Sequence, residues 1–222
     1  MRQVRLIAFT QPIQLEGAQT GEELVAYCAR VSNPANQANH ETAPRLLNYL
    51  VRNQHWSPFE MAHAVIEIQT TRDIARQILR HRSFSFQEFS QRYAEVTDGA
   101  VIRETRLQDN TNRQNSVETE NFALSDWWER KQGFIAAAAV EVYNEALQQG
   151  IAKEVARAVL PEGMTPSRLY MAGSVRSWIH YIQLRAGNGT QKEHREIAIM
   201  CRLALLHVMP SIKEILDATQ DH

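Results

Sequence analysis

The hydrophobic period of this sequence changes within one short stretch, and that switch limits what the chain can fold into. Residues 64–70 (AVIEIQT) alternate with the period of two that a half-buried strand requires. From Arg72 the period lengthens to that of a helix. Arg72, Asp73, Arg76, Gln77 and Arg80 fall on one half of the wheel, and Ile74, Ala75, Ile78 and Leu79 on the other. A strand running straight into an amphipathic helix points to a mixed α+β chain.

The remaining signals are mixed in the same way. Residues 4–10 (VRLIAFT) read as an opening strand, and 22–31 and 44–52 as helices separated by an Asn33-Pro34 loop. Residues 125–149 and 153–160 predict two further helices, stopped by Gly150 and Pro161. Ser57-Pro58-Phe59-Glu60 and Thr190-Gln191-Lys192-Glu193 have the form of capping boxes, the second opening a long final helix. Residues 94–121 are polar, with Asp98-Gly99 as a turn, and predict short strands or a surface loop. Residues 169–173 read as a strand or turn, 175–184 as a helix and Gly187-Asn188-Gly189 as a loop. No repeat or linker divides the chain, so one domain over residues 1–222 is expected, an α+β fold with a small, mostly antiparallel sheet flanked by helices.

Composition narrows the function classes. Hydrophobic residues make up 44% of the 222 residues and the net charge is -1. The first figure provides for a core, and the second excludes binding to nucleic acid or acidic membranes by bulk charge. Any anion site must be local, and the cations for it are chiefly Arg: the 24 basic residues include only Lys131, Lys153, Lys192 and Lys213 as Lys. Arg offers phosphates a planar fork that Lys lacks. Cys28 and Cys201 sit in apolar helical contexts (AYCAR, MCRLALL), which suits a reduced, cytoplasmic setting. Residues 1–20 lack the pattern of a signal peptide, and the longest apolar run, 134–140, is too short to cross a membrane. The His residues show no metal-ligand spacing, and His63, His194 and His207 read as structural or surface groups.

The chemistry concentrates in residues 71–93. Arg80-His81-Arg82 places three cation-capable donors at a helix end, where the helix dipole also favours positive charge. Ser83, Phe84, Ser85 and Phe86 then alternate as a strand would, and Phe89 falls out of phase, implying a bulge or loop near Gln87-Glu88. Ser90 and Arg92 share parity beyond it, a hydroxyl and a guanidinium suited to a phosphate ester. Glu88 sits among these cations, placed to orient an Arg or to accept from a sugar hydroxyl or base edge.

Residues 80–93 (RHRSFSFQEFSQRY) resemble the RHRxxSxNExSxRY signature of the flavin-dependent thymidylate synthases, with Gln87 in place of the usual Asn. His55–Glu60 (HWSPFE), 154–161 (EVARAVLP) and 175–185 are similar to further blocks of that family. The resemblance implies the thymidylate synthase-complementing fold and a homotetramer with shared sites. It implies C5 methylation of dUMP, with the carbon unit taken from methylenetetrahydrofolate and the hydride from FAD reduced by NADPH. Carried onto this sequence, dUMP would be held by Gln77, Ile78, Leu79 and Arg80, by Glu88, Phe89, Ser90, Gln91 and Arg92 from another subunit, and by Arg157. Arg185 would contact the uracil and favour its N3-deprotonated form, the catalytic role. FAD would be held by Ser57, Arg80, His81, Arg82, Glu88, Ser174, Val175, Arg176 and His180, with His55 adjoining. Ser174 and His180 stand where the family has Asn, and Gly187-Asn188-Gly189 occupies the slot of a family His, for which the helix start at Thr190 offers backbone N–H groups instead. No metal is implied.

Two features bear on this reading. A helix through Arg185 puts Arg176, His180 and Gln183 opposite Trp178, Ile182 and Arg185. Either that helix ends before Arg185 or its two faces serve different subunits' sites. Cysteines on apolar faces do not suit a thiolate nucleophile, which agrees with a flavin hydride route. The rival classes are a noncatalytic nucleotide-binding regulator and a single-stranded nucleic-acid binder, the latter with Phe84, Phe86, Phe89 and Tyr93 interleaved with Arg76, Arg80, Arg82 and Arg92 as a stacking platform.

Overall fold

The computed structural model describes residues 2–15, 17–97 and 99–217; the expected turn residue Asp98 lies outside them. The elements are, in order, β1 (Gln3–Phe9), α1 (Gly21–Ala29), α2 (Ala43–Arg52), β2 (His63–Thr71), α3 (Arg72–Ile78), β3 (Ser85–Glu88), β4 (Arg106–Gln108), β5 (Ser116–Glu118), α4 (Phe122–Gln148), α5 (Lys153–Ala156), β6 (Pro166–Ser174), α6 (Val175–Arg185), α7 (Lys192–Val208) and α8 (Lys213–Asp217). The fold is α+β. Strands order as β1-β2-β6-β3 in one sheet, and β4 pairs antiparallel with β5 in a second. Thr10 N donates to His63 O at one end of β2, Arg72 N donates to Thr165 O at the other, and Phe89 N donates to Arg168 O beyond β3. Each of these bonds joins the end of one strand to the start of its neighbour or runs in that sense, so the main sheet is antiparallel.

The chain forms two compact units. One comprises residues 69–80 and 87–169, and the other residues 3–68, 81–86 and 170–222. In the second unit the buried side of α6 carries Trp178, Tyr181 and Ile182, and α7 buries Ile197, Ala198, Cys201 and Leu205. Glu22 on α1 accepts from Ser211 N at 2.7 Å, and burial raises its carboxyl above the usual range. In the first unit the helix predicted from Arg72 forms as α3, with Ile74, Ala75 and Ile78 fully buried. Arg103 ties its start down, donating to both Asp73 oxygens at 2.7 and 2.9 Å and to Gly163 O at 3.2 Å. Asn121 caps α4 by accepting from Leu124 N, so the helix begins at Phe122, three residues before the predicted start, and Gly150 ends the segment at φ 79°.

Several expectations are corrected. Ser57–Glu60 is a single 3₁₀ turn with Trp56 at its N-cap and no side-chain cap, because β2 begins three residues later and the Glu60 carboxylate is drawn to Arg176. Thr190 does not cap the last long helix. Gln191 occupies that position, Thr190 N donates to Gly187 O, and the Glu193 carboxylate accepts from the side-chain amide of Gln191. Residues 153–160 form α5 and then a 3₁₀ turn over Arg157–Val159. Gln87 and Glu88 continue β3 instead of bulging. Helix α6 runs unbroken through Arg185, which removes the first of the two alternatives posed for that helix.

Candidate active site

In the unit of residues 3–68, 81–86 and 170–222, α6 sets the geometry. Ser174 caps it, accepting from Ser177 N. Tyr181 and Arg185 stand four residues apart and therefore on one face. That face meets the segment that opens with His81. Arg185 Nε donates to His81 Nε2 at 3.0 Å. The Tyr181 ring meets the His81 ring edge-on at 4.9 Å, and Phe84 packs edge-on against Trp178 at 4.8 Å. Behind them His194 of α7, fully buried, shares a hydrogen bond of 3.1 Å with the Tyr181 hydroxyl. Burial, with the nearby Arg185 charge, lowers the His81 pKa to about 4, and the same causes lower that of His194 to about 3. Both imidazoles are neutral at physiological pH.

On the other face of α6, Arg176 donates to Glu60 Oε1 at 2.9 Å. The Ser174 hydroxyl and the Arg176 guanidinium hold the Glu60 carboxyl below the usual range. His180 packs edge-on against Trp56 at 4.6 Å. Val175 is buried and its N donates to Ala62 O. Ser57 and His55 are exposed, and His55 lies edge-on to Tyr49 at 6.2 Å. Arg82 is exposed and makes no ion pair among the described residues.

In the unit of residues 69–80 and 87–169, Glu88 accepts from the Ser167 hydroxyl at 2.8 Å and lies 3.9 Å from an Arg72 Nη. Arg92 is paired to Glu154 at 3.2 Å on the surface. Ser90 and Arg80 are exposed, Ile78 and Gln91 are buried, and Gln77, Leu79, Phe89 and Arg157 are partly covered. Arg80 has no ion pair among the described residues. A cavity of about 1030 Å³ opens beside Phe89, Thr70, Ser167 and Arg168.

The stacking platform does not form. Phe84 is only 9% exposed and Phe86 and Phe89 are partly covered, leaving Tyr93 as the one ring of the four that is open to solvent. No group of three His, Cys, Asp or Glu side chains among the described residues is arranged to hold a metal ion, and none of the described helices is long and apolar enough to cross a membrane.

Nothing in the local sequence marks Tyr181, and His194, expected to be a structural or surface group, is fully buried against the Tyr181 hydroxyl. The only trace of their association is the placement of Tyr181 one helical turn before Arg185.

The profile of the family described as thymidylate synthase complementing protein matches residues 14–211. This chain belongs to the flavin-dependent thymidylate synthases. Within that family it is 51% identical over 213 residues to a Paramecium bursaria Chlorella virus 1 protein named "Probable flavin-dependent thymidylate synthase", covering 96% of this chain and 98% of the relative. It is 48% identical over 216 residues to the flavin-dependent thymidylate synthase of Synechocystis, covering 96% and 99%. Among solved structures it resembles a UMP/dUMP methylase, PolB, from Streptomyces cacaoi bound with 5-Br dUMP, with a TM-score of 0.81 and 27% identity over 98% of this chain and 95% of that one. The resemblance drawn from residues 80–93 thus extends along nearly the whole synthase chain.

Proposed function

We propose that this chain methylates dUMP at C5 to give dTMP, with methylenetetrahydrofolate as carbon donor and NADPH-reduced FAD as hydride source. It acts as one functional domain over residues 1–222, in the cytoplasm, as a homotetramer whose sites are shared between subunits. The observation that carries the reading is Arg185 fastened through Nε to His81, with its two Nη groups making no bond to the described residues. A guanidinium held that way offers a planar fork to the O4 and N3 edge of uracil, and its charge stabilises the N3-deprotonated ring, the better carbon nucleophile. Ser90 and Arg92 supply a hydroxyl and a cation for the phosphate. Arg157, Glu88 and the residues 77–80 complete the nucleotide site.

The donor set suits FAD. A dinucleotide diphosphate calls for cations not already committed to internal pairs, and Arg80 and Arg82 are exposed guanidinium groups of that kind. Glu60 holds Arg176 in place, and Ser57, Ser174 and His180 offer polar contacts beside it. Bound FAD supplies hydride and redox chemistry that no side chain here provides. The raised thiol pKa of Cys201, fully buried, agrees with a route that uses no enzyme thiolate.

Shared sites are supported by α4, whose Phe122, Trp127, Trp128, Phe134 and Ile135 are exposed, a surface expected to be covered by other copies of the chain. They are also supported by the opposite facing of Arg176 and Arg185 on one continuous helix.

An absorption spectrum of the purified chain followed by titration with dUMP tests the reading. Flavin bands that shift on adding dUMP, with dTMP formed when NADPH and methylenetetrahydrofolate are supplied, are expected. A colourless protein indifferent to dUMP overturns it. Arg185→Ala is expected to abolish dTMP formation while retaining flavin, and Ser90→Ala to weaken dUMP binding.

A further inference from the structure

We propose that His81 positions Arg185, and that the buried Tyr181–His194 pair holds the His81 ring at the angle this contact needs. The proposal rests on the functional reading above for the role of Arg185, and on the geometry for everything else. Arg Nε always carries a hydrogen and cannot accept, so in the 3.0 Å contact His81 Nε2 must be the acceptor. The imidazole is therefore the tautomer protonated at Nδ1. Using Nε as the anchor leaves both Arg185 Nη groups for a ligand and fixes the plane in which they point. Among the described residues no side chain bonds His81 Nδ1, which keeps its N–H as a second donor.

The ring is oriented by packing. Tyr181 meets it edge-on at an interplanar angle of 86°, and the His194 ring lies 6.2 Å away, edge-on at 82°. Tyr181 is in turn set by the 3.1 Å bond between its hydroxyl and His194 Nε2. Tyr181 and His194 are almost wholly buried, so neither is placed to touch substrate. They are positioning residues. A misplaced guanidinium loses the alignment on which orientation-dependent catalysis relies.

The test compares the holoenzyme with Tyr181→Phe/His194→Leu, which removes both partners of that bond, and with His194→Gln, whose side-chain amide can again bond the Tyr181 hydroxyl. The double variant is expected to keep its flavin and its fold but to lose on the order of tenfold in kcat. The dUMP-induced change in its flavin spectrum should weaken, and His194→Gln should recover most of both. Nitrogen-15 NMR of histidine-labelled wild-type holoenzyme is expected to show His81 as the Nδ1–H tautomer, a readout independent of turnover and of the double variant's folding. A His81 protonated at Nε2 overturns the proposal, as does a folded double variant with unchanged kcat and unchanged dUMP response. Failure of the functional reading shows differently, as wild type that forms no dTMP while its His81 tautomer is as expected.

Discussion

The Ser167 hydroxyl donates to Glu88 Oε1 at 2.8 Å, joining strand β6 to the carboxylate of the signature segment. Ser167 is buried and Glu88 only partly exposed, and Arg72 lies just beyond hydrogen-bonding distance of the same oxygen at 3.9 Å. Ser167→Ala removes a close donor from a semi-buried carboxylate, a change of about 1–3 kcal/mol for a charged acceptor. The expected outcome is a severalfold rise in KM for dUMP, with Ser167→Thr near wild type. Steady-state kinetics on the three proteins checks it, and unchanged KM in Ser167→Ala would show that this bond does not orient Glu88.

Gly173 is required by the Phe84 ring. A Cβ at position 173 would stand 2.5 Å from Phe84 Cδ1 and 2.7 Å from Cε1, and that ring is itself wedged against Trp178. Gly173→Ala is therefore expected to destabilise the fold by about 1–3 kcal/mol, the cost of overpacking a filled core. Adding Phe84→Leu, which clears the space, should recover part of the loss in urea unfolding. A Gly173→Ala protein as stable as wild type would mean that the ring has room to retreat.

His194 should make the protein acid-labile. Its pKa falls from 6.5 to about 3 on folding, burial being the larger cause and the Arg185 charge the next. Between those values the unfolded chain binds a proton that the folded chain refuses, so this contribution is complete above pH 6.5 and is lost as the pH falls toward 3. Between pH 7 and pH 5 wild type should lose about 2 kcal/mol more unfolding free energy than Tyr181→Phe/His194→Leu. Denaturant titrations of both proteins at the two pH values measure the difference, and parallel pH dependence would show that His194 is protonated in the folded state.

The cysteines should be dispensable for turnover. Cys201 is fully buried, and burial raises both its thiol pKa and that of Cys28. Cys28→Ser/Cys201→Ala is expected to keep kcat within about twofold, with a stability loss of about 1–2 kcal/mol from the small cavity at position 201. Loss of dTMP formation in a folded, flavin-bound double variant would return a thiolate to the chemistry.

Much of this was legible in the order of residues alone. The switch of period at Arg72 located β2 and α3, and the alternation beyond Arg82 located β3, because both patterns record which side of a single element meets the core. The signature segment and its companion blocks led to the family. What the sequence could not decide was which partner each polar group would choose. Glu60 stood at a capping position by spacing, yet it was taken by Arg176, 116 residues away. Likewise the Arg185–His81 bond spans 104 residues, and the Tyr181–His194 bond joins two different helices. Local rules reach about one helical turn, whereas these contacts were selected when the sheet and helices buried their apolar faces and left each enclosed polar atom only the partners that packing had brought within reach.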